Sequence, residues 1–226
     1  MKKCCLFISV IIATLCLAFA TYAEEDGWVK EGTHYCYYKE GTKVTGLQTI
    51  EGEDYEFTDD GYLKGNGQIR VIYVPFAYTH VYINADNEIA TGWQAINGDK
   101  YYFNSILGNA VDGVNTIDGV IYVFGDDRKL VTNDWYWSHY ADNTGRSLIG
   151  YQTIGEHKYF FDENGCALYG IQDVNGEKHY FSELYSPEYY YEAYGWVHDR
   201  NTGALYYFDH ETGVMQTSSR TIDGKK

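Results

Sequence analysis

The residues of this chain best placed to do chemistry are aromatic side chains held at a fixed spacing. Trp28, Trp93 and Trp196 each follow a glycine, and Tyr102, Tyr151 and Tyr207 hold related places. A ring at the edge of a groove can bury the apolar face of a sugar, or hold a cation against its π cloud. These six are the candidate ligand-binding residues. Nothing comparable points to catalysis. The seven histidines lie in no metal-ligand motif, and His179 simply occupies an aromatic place in its segment. Asp59-Asp60 and Asp126-Asp127 lack the pattern of a calcium loop. Carboxylates are so frequent that sequence proximity nominates no acid–base pair. No G-x-S-x-G elbow and no phosphate-binding loop occurs. No catalytic residue, metal or cofactor is therefore expected.

The spacing comes from a repeat. GWQAINGDKYYF begins at Gly92, GVNTIDGVIYVF at Gly113, GYQTIGEHKYFF at Gly150, GIQDVNGEKHYF at Gly170 and GLQTIEGEDYEF at Gly46. A period of about 20 residues marks an array of supersecondary units rather than one globular core. Such arrays display a surface many times over.

Each copy reads as a hairpin. Its aromatic triplet, such as Tyr101-Tyr102-Phe103 or Tyr159-Phe160-Phe161, has the composition of a strand. Strand alternation splits the triplet between two faces. The middle place accepts Glu56, so it is expected outward and the flanking two inward. Asn97-Gly98, Asp118-Gly119, Asn175-Gly176 and Glu51-Gly52 precede triplets and suit a type I′ turn, whereas Gly155-Glu156 suits type II′. A second loop then ends in Leu63, Ala110, Leu130, Ala167 or Met215. One hairpin cannot bury its apolar face alone, but a stack of them can. The expected fold is all-β, a β-solenoid of stacked hairpin repeats. Residues 65–91 and 134–149 are irregular copies, the two prolines, Pro75 and Pro187, fall in irregular stretches, and 221–226 begins a copy that is not completed.

Lys2 and Lys3 followed by an apolar run to Ala20, with A-x-A-like sites ending at Ala20 and Ala23, mark residues 1–23 as a secretory signal peptide. The repeats then occupy 24–226, and the mature chain is expected outside the cell or on its wall, without membrane insertion. Lys2 and Lys3 are the leader's only charges; without them 15 basic side chains face 32 acidic ones, a net charge of −17. That balance argues against nucleic acid and anionic membranes. Of five cysteines only Cys36 and Cys166 lie beyond the leader, in distant copies, and they are expected unpaired.

The pattern G-W-x-x-I-x-G-x-x-Y-Y-F, best kept from Gly92 and from Gly150, resembles the cell-wall-binding repeat of Gram-positive surface proteins. That superfamily includes choline-binding, glucan-binding and clostridial toxin-type repeats. The resemblance implies a solenoid of hairpins that attaches to a cell-wall polymer or glycan, with catalysis left to a separate domain. Choline-binding members use a second Trp before the tyrosines, which these triplets replace with Tyr. That departure favours the glucan-binding and toxin-like branches over choline. Three readings follow: a secreted module for cell-wall or extracellular polysaccharide, an adhesin for host glycans or a protein receptor, or the attachment region of a larger secreted enzyme.

Overall fold

The computed structural model describes residues 26–74, 77–182, 189–199 and 202–217. The leader, Pro75, Pro187 and the partial copy at 221–226 lie outside them. Nineteen strands form nine antiparallel sheets, and no α-helix occurs among the described residues. Two compact units divide at Val111 and Asp112. In the first, β1 (Gly27–Glu31), β2 (His34–Lys39) and β3 (Thr42–Lys43) form one sheet. Hairpins follow from β4 (Gly46–Ile50) and β5 (Glu53–Phe57), β6 (Ile69–Val74) and β7 (Ala77–Tyr82), and β8 (Gly92–Ile96) and β9 (Asp99–Phe103). In the second, β10 (Gly113–Ile117) pairs with β11 (Val120–Phe124), β12 (Asp134–Tyr136) with β13 (His139–Ala141), and β14 (Gly150–Ile154) with β15 (His157–Phe161). There, too, β16 (Gly170–Val174) pairs with β17 (Glu177–Phe181), and β18 (Gly195–His198) with β19 (Leu205–Phe208).

The turns obey their sequences. Both central residues have positive φ at Asn97 (53°) and Gly98 (91°), as at Asp118-Gly119, Asn175-Gly176 and Glu51-Gly52. That is the type I′ geometry, whose twist matches the flanking strands. Between β14 and β15 only Gly155 is positive, at 61°, as a type II′ turn requires. The turns set the register: Gly92 lies opposite Phe103 and Trp93 opposite Tyr102. The same offsets recur as Tyr151 opposite Phe160 and Trp196 opposite Tyr207.

Third-place rings form the core. Phe57, Phe103, Phe124, Phe161, Phe181 and Phe208 are buried, each bridged by the residue ending the second loop: Leu63, Ala110, Leu130, Ala167, Glu192 and Met215. Fully burying each ring contributes roughly 1.5–3 kcal/mol. Tyr101 and Tyr159 are buried beside them, while Tyr102 and Phe160 are half-exposed. β11 departs from this alternation: Val123 is buried and Tyr122 half-exposed. There the next copy's Gly145–Arg146 segment is laid along the strand, Val123 N–H donating to the Gly145 carbonyl.

Stacking has a backbone signature. In the second unit Ser147, Ala167, Glu192 and Met215 donate their N–H groups to the carbonyls of Ile121, Ser138, Lys158 and Lys178, each in the preceding copy. A side-chain amide secures the opening of five hairpins: Gln48, Gln94, Asn115, Gln152 and Gln172 donate to the carbonyl three residues back. The stretches expected to be irregular hold hairpins too. Residues 65–91 contain β6 and β7, with Ile83 bridged to Ile89. Residues 134–149 contain a shortened hairpin in which Trp135 takes the opening place opposite Tyr140, and Ala141 replaces the core Phe.

Candidate functional site

At two places, one in each unit, the outward face of a hairpin is covered by the inward face of the next. Trp28 meets Tyr37 across its own hairpin at 5.4 Å, and Tyr55 and Phe57 of the following copy at 4.9 and 5.7 Å. Trp135 repeats this arrangement with Tyr140 at 5.3 Å, then Tyr159 and Phe161 at 5.3 and 5.8 Å. In both places the following copy offers large rings, and no room remains. Trp28, expected to face a ligand, is only 5% exposed and belongs to the core. This corrects the sequence expectation: the next copy's Tyr55 and Phe57 close over its ring.

Tyr151 meets a different neighbour. Its ring packs edge-on against Phe160 at 4.9 Å and against His179 of the following copy at 5.9 Å, and it stays 43% exposed. His179 holds the first place of its triplet, where Tyr55, Tyr101 and Tyr159 stand in their copies, and Glu192 holds the bridging place, where Leu63, Ala110 and Ala167 stand. The smaller, polar pair leaves a cleft of about 380 Å³ between the two hairpins. That volume lies toward the small end of the roughly 300–1,000 Å³ of small-molecule sites. Tyr151, Gln152, Thr153 and Lys158 line one side, and Val174, Asn175, Glu177, His179, Glu192 and Thr212 the other.

Glu192 organises the floor. Its Oε1 accepts from His179 Nδ1 at 2.7 Å and from the Tyr151 hydroxyl at 3.3 Å, while Oε2 accepts from the Tyr194 hydroxyl at 3.1 Å. The His179 and Glu192 side chains are 7% and 4% exposed. Burial first, and the Glu192 charge second, push the Tyr151 and Tyr194 phenols above their ordinary range. Both hydroxyls therefore stay protonated at neutral pH and remain donors. Both carboxylate oxygens are engaged, and the exposed Thr153, Asn175 and Lys158 side chains line the rim.

The other expected residues pair across their own hairpins. Trp93 lies 5.2 Å from Tyr102 and is 40% exposed, with Tyr102 half-exposed. Trp196 lies 5.2 Å from Tyr207, both half-exposed, and the Trp196 indole N–H is enclosed without an acceptor among the described residues. Of the six, Tyr151 lines the cleft. Sequence reasoning missed Glu192, which reaches the bridging place through an unusually long loop, and it passed over His179 as a stand-in for an aromatic. The replacement of tyrosine by histidine at a core place was the available signal.

The family model of the cell wall binding repeat, choline-binding type, matches residues 91–105 and 149–165. Those two segments are similar to cell wall binding repeats. The matched segments hold the Trp93–Tyr102 pair and the Tyr151–Phe160 pair. Glucosyltransferase-I of Streptococcus downei is 27% identical over 162 residues, covering 62% of this chain and 9% of that protein. The chain thus spans about a tenth or less of the length of the curated relatives it matches. Among solved structures, CbpJ from Streptococcus pneumoniae is similar at a TM-score of 0.52 and 18% identity, covering 88% of this chain and 90% of that one. Choline-binding protein F from the same species, solved in the presence of a peptidoglycan analogue, gives a TM-score of 0.52 and 18% identity over 88% of this chain and 89% of that one. These likenesses are of fold: stacked hairpin repeats.

Proposed function

We propose that the chain is a secreted, non-catalytic binding module that attaches to cell-wall or extracellular polysaccharide through aromatic sites between repeats. The observation that carries this reading is the cleft between the β14–β15 and β16–β17 hairpins. It combines one exposed aromatic ring with a rim of amides and hydroxyls. A ring can take the apolar face of a sugar while the rim hydrogen-bonds its hydroxyls. Choline suits this cleft less well, because a quaternary ammonium is held by several ring faces together and the remaining lining is polar. The non-catalytic reading is supported by Glu192, whose two oxygens are already engaged by three donors. Trp93 with Tyr102 and Trp196 with Tyr207 would supply further weak sites, which linkage on one array raises to useful avidity.

The test is co-sedimentation with purified Gram-positive cell walls and with insoluble glucan. Retention by one of them, lost on competition with the soluble polymer, supports the reading. Absence of retention by both, with the folded protein, would overturn it. In parallel, millimolar choline is expected to leave tryptophan fluorescence unchanged; a saturable shift abolished by Trp93→Ala would return choline to the ligand position.

A second reading has its own support. Because the matching stretch is a small part of glucosyltransferase relatives, this array would serve as the attachment region of a larger secreted enzyme. An in-frame catalytic domain in the complete coding sequence is the expected finding under that reading.

A further inference from the structure

A second polar pair occupies the core places of the β12–β13 hairpin. His139 stands where other copies carry Tyr101 or Tyr159, and Ser147 where they carry Ala110 or Ala167. Both are buried, at 8% and 7% exposure. Since the apolar pair builds the same hairpin elsewhere, the fold does not demand these polar residues. They meet the partly exposed Cys166 of the next copy, whose Sγ lies 3.4 Å from His139 Nε2.

The hydrogen-bond directions fix the histidine tautomer. The Ser147 hydroxyl donates to the Gly165 carbonyl at 3.4 Å. Its single proton is then committed, so at 3.2 Å it accepts from His139 Nδ1–H. Nε2 is left with its lone pair directed at the Cys166 thiol. Nucleophile, base and orienting group thus stand in one line. Gly165 allows the approach: its φ is +81°, and a Cβ there would strike the Ser147 hydroxyl. Burial holds the His139 pKa below its ordinary value, Asp162 being the charge that acts against this, so the ring is neutral and able to accept a proton at pH 7. Cys36 offers an internal contrast. It is fully buried, donates to the Val29 carbonyl, and its thiol is pushed up to about 12, first by burial.

We propose that Cys166 is a reactive thiol site for thiol–disulfide exchange with small disulfides, with His139 as its base and Ser147 as the positioning residue. In the exchange, His139 Nε2 takes the S–H proton and the Cys166 thiolate attacks one sulfur of R–S–S–R. The old S–S bond breaks as the Cys166–S–S–R bond forms. The leaving thiolate recovers the proton from His139 and departs as RSH. Cys166 is oxidised, one RS group is reduced, and no other oxidant is consumed.

The experiment uses 5,5′-dithiobis(2-nitrobenzoate) on the folded protein at pH 7, with oxidised glutathione as the second probe and mass spectrometry to locate the label. One thiol is expected to react at least about tenfold faster than free cysteine, the other to be protected until denaturation. Cys166→Ser should remove the fast phase and Cys36→Ala should keep it. His139→Phe should slow it about tenfold or more and make the rate follow the thiol's own ionisation. Ser147→Ala, which installs the residue found at Ala110 and Ala167 but leaves His139 Nδ1 without its partner, should slow it and lower Tm by a few degrees, the rate being read on the folded variant. A Cys166 no faster than free cysteine, or a His139→Phe variant as fast as the parent with the same pH profile, would overturn the proposal.

Discussion

Replacing Glu192 with alanine, and then His179 with tyrosine, tests how the cleft is built. The Glu192 side chain is 4% exposed and accepts from His179, Tyr151 and Tyr194. Alanine is the residue at the same bridging place in the copies ending at Ala110 and Ala167, so the backbone tolerates it. The substitution strands a buried histidine, however. Leaving a buried hydrogen-bonding group without its partner costs about 1–3 kcal/mol. With a urea m-value of about 2 kcal/mol/M, the unfolding midpoint should fall by roughly 0.5–1.5 M. Adding His179→Tyr recreates the Tyr159–Ala167 pair of the preceding copy. Replacing both partners of a buried hydrogen-bonded pair by groups that pack in the same place is near neutral, so the double variant should return to within about 1 kcal/mol of the parent. Its new ring fills the cleft floor, so polysaccharide retention should fall although stability is restored. Two results would refute the reasoning: a single variant within about 1 kcal/mol of the parent, or a double variant no more stable than the single one.

Other perturbations follow from the same geometry. Phe161→Ala removes a fully buried ring that packs on Trp135, and urea unfolding should show a loss of about 3–5 kcal/mol. Gly176→Ala forces a side chain onto a residue at φ 88° and should cost about 1–2 kcal/mol in the same assay. The His139 pKa is lowered by burial, so the unfolded chain binds that proton more readily. Its contribution is intact above about pH 6.5 and is lost as the pH falls below it. Burial raises Cys36 and Tyr35 from 9.0 and 10.0 to about 12. The unfolded chain releases those protons first, so stability is intact below about pH 9 and falls as the pH climbs toward 12. Thermal melts from pH 4 to 11 should therefore peak between these limits; a flat profile would contradict both assignments.

The hairpins were legible because their determinants are local. Asn97-Gly98 dictates its turn, the turn dictates that Trp93 faces Tyr102, and alternation sends Phe103 inward. The bridging residues Leu63, Ala110, Leu130, Ala167 and Met215 could be found by counting for the same reason. What one copy's sequence does not carry is the identity of its neighbour's face. Trp28 and Tyr151 hold the same opening place, yet Tyr55 and Phe57 bury the first while His179 and Glu192 leave the second open. Glu192 also lies eleven residues beyond Phe181 instead of the six that separate Phe161 from Ala167, so counting from the triplet misses it. Residues 134–149 read as an irregular copy for a related reason: a hairpin shortened to three pairs lacks the triplet's aromatic run.

The central claim is that binding resides between consecutive hairpins, at Tyr151. Its most direct test is calorimetric titration of the polysaccharide retained in co-sedimentation against the parent, Tyr151→Ala and Leu47→Ala. Leu47 occupies the same opening place in another copy and is 71% exposed. Tyr151→Ala is expected to weaken binding by about tenfold or more, equivalent to roughly 1.4 kcal/mol, while Leu47→Ala leaves it unchanged, each variant being titrated well below its own melting temperature. Equal affinity for the parent and Tyr151→Ala would contradict that claim.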